Sequence, residues 1–508
     1  MSKYILAHDL GTTGNKATLY DADGVLRGNA FYAYDTAYPQ TGWAEQNPRD
    51  WWAAICHTTK DLLSQTGTTG GEVACVTFSG QMQGVVPLDE HAQPLRSAII
   101  WMDQRATPQA AAVAEKISAD DVYRITGHRL SPAYSLHKIL WIRDHQPEIF
   151  GAAHKFTGAK DAMVARLTGE FVTEPSDASG TNAYDLASGE WSSKILDAAG
   201  LAPDLLPTIK RSVDVAGGVT PAAAEDIGLL AGTPVVIGGG DGACASVGAG
   251  SVVPGAAYSY VGSSAWVATA STEPIFDPEY RTFTFGHIVP GLYIPMGTMQ
   301  TAGTAYQWMR DQLSPLEKQS AEALSISAYT LMNAIAEGAP AGANDLLFLP
   351  YLAGERSPRW NPDARAAFIG LTMRHTRADM IRAVMEGVAL NLCVVLRAFQ
   401  QQGQSFNAIR AIGGGITGRL WASIMADIYN VPLHRLYIPE QATSMGAAVT
   451  GGVGVGLYSG FEMAQQMNTV SDTIHPTTAN RATYDRAYHI FEAAYTALEP
   501  VYDLIASE

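Results

Sequence analysis

The stretch Asp9-Leu10-Gly11-Thr12-Thr13-Gly14-Asn15-Lys16 joins two apolar runs, residues 5–7 and 17–20, that are typical of buried β-strands. One tight turn therefore contains a carboxylate, two glycines and two hydroxyls. Gly11 and Gly14 permit positive φ and would bring backbone N–H groups close to an anion. The stretch predicts a β-hairpin whose turn binds phosphate and a metal ion.

The polar residues of this turn have separate predicted roles. Asp9 ends the first strand, where it can hold Mg²⁺ directly or through water, because that ion favours one or two carboxylates plus phosphate oxygens. Thr12 and Thr13 add hydroxyl donors, and Lys16 either supplies positive charge or points to solvent. The alternative is an ordinary Gly-Thr hairpin in which Asp9 only caps the turn.

Composition narrows the class of protein. The chain has 508 residues, of which 47% are hydrophobic and 16% charged, as expected of a soluble globular protein. The net charge of −16 argues against nucleic-acid and anionic-membrane partners, so local backbone donors must bind any polyanion. We expect a cytoplasmic protein, because the sequence shows no basic leader and no long apolar span. The cysteines are scattered in apolar runs, which indicates reduced, buried thiols: Cys56, Cys75, Cys244 and Cys393.

Strand and helix signals alternate along the chain, which predicts an α/β fold. Asn47 and Pro48 are typical of a helix start, and a second, long helix is predicted after Thr376, with Asp379 completing its capping box. A strand over residues 234–237 runs into Gly238-Gly239-Gly240-Asp241-Gly242. The last helix is predicted over about 484–505.

The unit strand, glycine-hydroxyl turn, strand occurs twice. It lies at residues 9–16 and again at 260–267, so each half of the chain begins with the same device. We therefore predict two similar domains, residues 1–250 and 251–508, with the boundary near residues 250–256. Facing each other, they would place both turns against one phosphate chain.

These motifs resemble those of the FGGY family of carbohydrate kinases, and most of all those of the xylulokinases within it. The resemblance covers about the first 460 residues in the family's order. It rests on Asp9-Leu-Gly-Thr-Thr13, Ser79-Gly-Gln-Met-Gln-Gly84, Trp101-Met-Asp-Gln-Arg105, Lys138-Ile-Leu-Trp141, Ser176-Asp-Ala-Ser-Gly-Thr181, Gly238-Gly-Gly-Asp-Gly242, Gly262-Ser-Ser264, Phe348-Leu-Pro-Tyr-Leu-Ala-Gly-Glu-Arg-Ser-Pro358, Gly413-Gly-Gly415 and Gly446-Ala-Ala448.

The resemblance implies two actin-like, ribonuclease H-like ATPase domains with a cleft between them. It implies ATP and Mg²⁺ as cofactors, a small sugar as substrate, and phosphoryl transfer to a sugar hydroxyl, and it is compatible with a homodimer. Asp241 would be the catalytic base and Asp9 its partner, both near the metal ion. Taken alone, Asp241 could simply be a helix N-cap.

Nucleotide and sugar contacts are also carried over from the family. The N-terminal domain would bind sugar, phosphate and metal, and the C-terminal domain the nucleotide. The implied nucleotide contacts are Thr12, Thr13, Gly262, Ser263, Gly303, Gln307, Gly414 and Gly415. The implied sugar contacts are Gln81, Met82, Gln83, Trp101, Asp103, Asp241 and Gly242.

Two positions depart from the xylulokinase pattern. Gln83 stands where those enzymes usually have His, and Gly242 stands where they have Asn after the catalytic aspartate. D-Xylulose, converted to its 5-phosphate, is the leading substrate, and ribulose, a pentitol or gluconate are alternatives, because a site that pairs sugar hydroxyls discriminates steeply between them.

Two other classes of protein are alternatives to a sugar kinase. Gly238-x-Gly240-x-x-Ala243 matches a dinucleotide fingerprint, but residues 242–272 contain no acidic residue to hold the ribose. A non-catalytic ATP-binding protein on the same fold is the second class. Asp241 and the segment 101–105 argue against it, because such a protein needs no sugar pocket.

Overall fold

The computed structural model describes residues 3–507 and is built around two mixed β-sheets. The N-terminal sheet has the spatial order Val215–Gly218, Pro234–Val236, Val73–Gly80, Tyr4–Leu10, Gly14–Asp21 and Leu26–Ala33, with Gly239–Gly240 also paired to Val73–Gly80. The C-terminal sheet has the order Val470–Ile474, Leu433–Leu436, Ile409–Ile412, Ala257–Val261, Ala265–Thr269, Tyr293–Met299 and Phe283–Gly286.

The two sheets share the same arrangement around their opening strand. In each, the strand that opens the half, Tyr4–Leu10 or Ala257–Val261, is antiparallel to the next strand along the chain. On its other side it is parallel to a strand reached after a long crossover. The predicted α/β fold of two actin-like ATPase domains is therefore confirmed. Residues 249–256 connect the two halves.

Helices cover the sheets and form the remaining layers. In the N-terminal half they are Pro48–Thr66, Thr107–Ala114, Ala119–Thr126, Ser135–His145, Pro147–Ala152, Ala159–Thr168, Pro175–Ser179, Ser193–Ala199, Pro221–Ile227 and Asp241–Gly248. In the C-terminal half they are Gly303–Leu313, Pro315–Leu324, Ala328–Ala336, Arg377–Gln401, Arg419–Tyr429, Ala442–Gly454, Met463–Met467 and Arg481–Ala506. Across residues 3–507, none of these helices has both the length and the apolar character needed to cross a bilayer.

Short elements complete the chain. Two-stranded pairs are formed by Glu45–Gln46 with Ala98–Ile99, Val86–Leu88 with Lys155–Thr157, Val172–Thr173 with Thr208–Ile209, Tyr184–Asp185 with Glu190–Trp191, and Leu347–Leu349 with Ala367–Ile369. The 3₁₀ turns are Gly70–Glu72, Pro203–Leu205, Ala343–Asp345, Gly414–Ile416, Pro439–Gln441 and Thr478–Asn480.

The structure confirms both predicted helix starts, after Asn47 and after Thr376. The Asn47 side chain accepts a hydrogen bond from the Arg49 amide and caps the helix that begins at Pro48. Thr376 and Asp379 form the capping box of the helix Arg377–Gln401. The sequence predicts a final helix over about 484–505, and the structure has one over Arg481–Ala506.

A core between the two sheets joins the halves. It is formed mainly by the helices Asp241–Gly248 and Ala442–Gly454, which pack on each other and on apolar residues of both sheets. The two helices cross at glycines. A Cβ atom on Gly446 would lie 1.8 Å from the carbonyl oxygen of Cys244, and one on Gly248 would lie 1.8 Å from that of Ala442. Only hydrogen fits at these two positions, so the crossing fixes the distance between the halves.

We predict that Gly446→Ala destabilises the protein by about 1–3 kcal/mol, because the added methyl group must push the helices apart. The melting temperature measures the effect. Gly151→Ala is the matched control, since Gly151 is also helical but has open space around its missing Cβ atom. The control should be neutral or slightly stabilising, and an equal loss in both variants would contradict close packing at the crossing.

Candidate active site

Two aspartates meet at one edge of the N-terminal sheet. Asp9 lies opposite Ser79 on the neighbouring parallel strand, and Gly239 lies opposite Ser79 on the other side. Asp241 follows two residues later, as the first residue of a helix. Because parallel strands end at the same edge of a sheet, residues far apart in sequence place two carboxylates in the cleft between the halves.

Asp9 is held by its neighbours on both sides. Its Oδ1 atom accepts a 2.8 Å hydrogen bond from the Ser79 hydroxyl, and Lys16 is its register partner on the adjacent strand. Burial raises the pKa of the Asp9 carboxyl above its ordinary value, while the Ser79 hydrogen bond and the positive charge of Lys16 partly oppose the shift. Lys16 therefore acts electrostatically on Asp9.

Asp241 projects from the helix start into the cleft. Its Oδ1 atom accepts a 2.7 Å hydrogen bond from the Gly242 amide, and Gly240 is the helix cap. Water reaches the carboxylate from the cavity, yet protein atoms crowd around it. This desolvation, together with the negative charge of Asp9, raises the pKa of Asp241 to about 7. The group can therefore exchange a proton near neutral pH.

The two glycine-hydroxyl turns have similar geometry. The Gly11 amide donates to the Gly14 carbonyl at 3.0 Å, and the Gly262 amide donates to the Ser264 carbonyl at 2.9 Å. Within residues 3–507, the amides of Thr12, Thr13 and Ser263 donate to no protein acceptor. Each turn therefore presents unused donors to the cleft, as an anion site requires.

Gly11 and Gly14 do not use the positive φ that glycine permits, since neither is among the residues with positive φ in the described chain. At Gly14 the reason for glycine is space, because a Cβ atom would lie 2.5 Å from the Tyr32 carbonyl oxygen of the neighbouring strand. Glycine at position 14 therefore lets the strand Gly14–Asp21 pack closely against the strand Leu26–Ala33.

Side chains from distant parts of the chain hold the first turn in place. The Tyr34 hydroxyl donates to the Gly11 carbonyl at 2.5 Å, and the Gln46 amide donates to the Thr12 carbonyl at 2.6 Å. The Trp101 indole N–H donates to the Thr12 hydroxyl oxygen at 3.0 Å. Trp101 thus links the predicted sugar segment to the predicted phosphate turn.

The predicted nucleotide residues of the C-terminal half surround the second turn. The Gly303 amide donates to the Gly262 carbonyl at 2.8 Å, and a Cβ atom on Gly303 would lie 2.4 Å from that oxygen. A Cβ atom on Gly415 would meet Val261 at 2.5 Å, whereas one on Gly414 would meet nothing within 4 Å. Gly303 and Gly415 therefore have packing reasons to be glycine. Gly414 leaves open surface, and Gln307 is exposed one turn into the helix that begins at Gly303.

A cavity of about 340 Å³ opens beside Asp241, large enough for a sugar. Both halves of the chain form its walls, whereas sugar binding is predicted for residues 1–250 alone. The wall residues are Met82, Gln83, Trp101, Asp241, Gly242, Ser263, Ser264, Trp266, Phe283, Phe285, Met296, Thr298, Met299, Gln300 and Arg356. Five predicted sugar contacts are among them: Met82, Gln83, Trp101, Asp241 and Gly242.

Two predicted sugar contacts do not line this cavity. Asp103 is fully buried, and its carboxylate accepts hydrogen bonds from the Ala44 amide at 2.6 Å and from Arg105 at 2.7 Å. Gln81 is also buried, and its amide donates to Gln46 at 2.8 Å. Both side chains fix the loops that carry the true wall residues.

Lys138 begins one of the stretches that carry the family resemblance but has no predicted role. Its ammonium group is buried and donates to the carbonyls of Gln83, Ile100 and Ala133 at 2.9, 2.8 and 2.6 Å. Burial lowers the pKa of Lys138 to about 7. It ties together the Gln83 and Trp101 loops, so a residue outside the cavity sets the shape of the cavity.

The remaining missed wall residues come from the C-terminal half. Phe283 and Phe285 alternate on one strand and present their rings to the cavity, and Trp266 stacks on Tyr260 with ring centroids 3.9 Å apart. Arg356 follows Glu355 in the stretch Phe348–Pro358, but only the folded chain brings it to the cavity that Asp241 also lines. The Phe-x-Phe alternation was the one local signal that could have indicated this wall.

The cleft of this two-domain fold brings together two carboxylates and two turns with unused amide donors, an arrangement suited to phosphoryl transfer. Family models agree: residues 4–248 match the N-terminal domain of the FGGY family of carbohydrate kinases, and residues 257–455 match its C-terminal domain. The chain belongs to the FGGY family of carbohydrate kinases, and it is a sugar kinase. Membership of a kinase family implies ATP as the phosphoryl donor.

Individual relatives are similar over nearly their whole length. The xylulose kinase of Bacillus subtilis (strain 168) is 32% identical, with 97% of each chain covered. The gluconokinase of the same strain is 31% identical, with 99% of this chain and 95% of that one covered. The crystal structure of the xylulose kinase from Rhodospirillum rubrum superposes with a TM-score of 0.91 at 30% identity, covering 99% of this chain and 100% of that one.

The raised pKa of Asp241 predicts a pH-dependent cost in stability. In the unfolded chain the carboxyl ionises near pH 4, but in the folded chain it ionises near pH 7. The folded state therefore loses stability relative to the unfolded state as pH rises from about 4 to about 7. We expect Asp241→Asn to raise the melting temperature at pH 8 and to lose this advantage toward pH 4.

Scanning calorimetry at pH 8, 6 and 4 measures this effect. Asp503→Asn, on the exposed face of the last helix, is the control for removing one negative charge. A gain for Asp241→Asn that is the same at all three pH values, or no larger than that of the control, would contradict the assigned environment of Asp241.

Proposed function

We propose that this kinase transfers the terminal phosphoryl group of ATP to a hydroxyl of a ketose, with Asp241 as the general base and D-xylulose as the leading substrate. One observation carries the proposal. The Asp241 carboxylate forms part of the sugar-sized cavity wall and has a pKa of about 7, while Asp9 and the phosphate-binding turns lie next to it.

The chemistry follows from this position. A sugar hydroxyl against Asp241 gives its proton to the carboxylate as its oxygen forms a bond to the terminal phosphorus of ATP. The bond from that phosphorus to the bridging oxygen breaks, and ADP leaves. Amide and hydroxyl donors of Thr12, Thr13 and Ser263 stabilise the negative charge on the phosphoryl oxygens.

The nucleotide would extend from these turns along the C-terminal half. Gly414 leaves open surface there, and the exposed Gln307 lies beside the second turn. We propose that residues 1–250 supply the base and the metal site and that residues 251–508 supply the adenosine site. The sugar would lie between them, in contact with both.

The charge pattern of the site fits a Mg²⁺ ion held by Asp9 with Asp241 nearby. Within residues 3–507 neither carboxylate takes part in an ion pair, and burial raises both pKa values. No cluster of three or more His, Cys, Asp or Glu side chains in this part of the chain could enclose a metal. Mg²⁺ needs only one or two carboxylates when phosphates provide further ligands. When bound, it would neutralise phosphate charge.

D-Xylulose is the leading substrate because xylulose kinases are prominent among the similar proteins. Gluconate is the second candidate, and a specific observation favours it. Arg356 lines the cavity, and its guanidinium group makes no ion pair with any carboxylate of residues 3–507. Such a group can pair with the carboxylate of an aldonate. Gln83 and Gly242 replace residues that xylulokinases usually place at the ketose.

We predict that Asp241→Asn lowers kcat by at least about 100-fold, because the sugar hydroxyl loses its proton acceptor. Affinity for a non-hydrolysable ATP analogue, measured by calorimetry, should stay within about threefold. The assay compares ATP turnover with and without sugar. Sugar-independent turnover that survives in Asp241→Asn would instead support a non-catalytic role for Asp241 and an ATP-binding protein of another class.

A substrate panel of xylulose, ribulose, ribitol, arabitol and gluconate tests specificity. We expect the highest kcat/KM with D-xylulose, and we expect Gln83→His to raise it further. Gln83 has a φ of 64°, a conformation that His tolerates better than most side chains, so the loop should keep its shape.

Arg356→Gln separates the two substrate candidates. Loss of a charged hydrogen bond should lower kcat/KM for gluconate by about 10–100-fold and change that for D-xylulose much less. If wild-type protein prefers gluconate and Arg356→Gln abolishes that preference, gluconate replaces D-xylulose as the substrate.

A further inference from the structure

A cluster of buried charged side chains lies next to the segment 238–242, which carries Asp241. The Lys160 ammonium group contacts Asp161 at 2.5 Å, Asp177 at 3.0 Å and Glu174 at 3.5 Å, and these side chains are almost completely inaccessible to solvent. Burying ionised groups is costly unless each is paired and hydrogen-bonded. None of these four side chains lines the sugar cavity. Since these side chains do not contact the substrate site, their effect on it depends on the buried groups to which they are hydrogen-bonded.

Glu174 is the centre of this cluster and must be a carboxylate. Its Oε1 atom accepts hydrogen bonds from the Ser176 hydroxyl at 2.6 Å and the Asp177 amide at 2.9 Å. Its Oε2 atom accepts from the Ser176 amide at 2.9 Å and the Ser212 hydroxyl at 2.8 Å. Each of the two oxygens accepts from a backbone amide, which cannot accept in return, so an amide side chain here would place its own NH₂ group against a donor in either orientation.

The Ser176 hydroxyl connects Glu174 to the backbone next to Asp241. Because its proton is committed to Glu174, its oxygen lone pairs are free to accept. It accepts a 2.9 Å hydrogen bond from the Gly240 amide. Gly240 is the cap of the helix that Asp241 begins, so this bond fixes the backbone one residue before the base. The path from Glu174 through Ser176 to Gly240 is continuous and fully buried.

The short helix Pro175–Ser179, which carries Ser176, also contacts the C-terminal half. The Ser179 hydroxyl accepts a 2.9 Å hydrogen bond from the Gly286 amide, at the end of the strand that carries Phe283 and Phe285. A Cβ atom on Gly286 would lie 2.7 Å from Pro175. The helix Pro175–Ser179 thus braces the loop of the base at one end and the aromatic cavity wall at the other.

We infer that Ser176, oriented by Glu174 and Lys160, is a positioning residue that holds the Gly240 backbone so that Asp241 faces the sugar hydroxyl. This inference rests on the proposed role of Asp241 as base. Ser176 touches neither substrate in this arrangement and acts only through Gly240. Its loss should therefore lower kcat and leave ATP binding unchanged.

The test compares Ser176→Ala with Ser212→Ala. Both changes remove a buried hydroxyl that donates to Glu174, but only Ser176 is bonded to Gly240. We expect kcat to fall at least tenfold in Ser176→Ala and to stay within twofold in Ser212→Ala. The melting temperatures of the two variants should drop by similar amounts, and KM for ATP should stay within twofold. Equal effects of both variants on kcat would overturn the inference.

A double variant and an exchange measurement complete the test. In the Asp241→Asn background, Ser176→Ala should cause no further loss of the residual turnover, whereas a further tenfold loss would contradict action through Asp241. In the wild-type protein, the Gly240 amide should exchange hydrogen slowly, and fast exchange would contradict the bond to Ser176. Failure of the base assignment would appear separately, as undiminished turnover in Asp241→Asn alone.

Discussion

The crossing of the helices Asp241–Gly248 and Ala442–Gly454 is the contact on which the rest of the structure depends. Each helix comes from a different half of the chain, and Gly248 and Gly446 let their backbones touch. The first of these helices begins with Asp241. The packing that holds the halves together therefore also sets where the carboxylate stands. A larger side chain at the crossing would change the cleft as well as the stability of the protein.

The crossing also limits how the halves can move. Interfaces packed at backbone contact tend to slide rather than separate, because separation would open voids that apolar side chains cannot fill. A cleft between two such halves can close over bound sugar and nucleotide and exclude water, which would otherwise compete with the sugar hydroxyl for the phosphoryl group. Residues of both halves line the cavity, so closure would complete the sugar site.

Local sequence signals predicted much of the fold, and long-range contacts decided the rest. The turn after Asp9, the cap at Asn47 and the repeated hairpin could be read from short windows, because strand, cap and turn chemistry is local. The reason for glycine at position 14 could not, because the neighbouring strand Leu26–Ala33 leaves no space for a side chain there. The positions of Asp103 and Gln81, the two predicted sugar contacts outside the cavity, could not be predicted either, because they depend on hydrogen bonds to distant residues. Their partners lie up to about 70 residues away.

Specificity is the property that depends most on such distant contacts. Gln83 and Trp101 face the cavity, yet the position of their loops is set by the buried ammonium group of Lys138, which binds three backbone carbonyls. Backbone carbonyls offer the same acceptor whatever side chain they carry. The side chain at position 83 can therefore vary while the loop keeps its place. Because the position of the loop does not depend on the side chain at position 83, one fold can accept a different sugar while the aspartate proposed as the base stays in place.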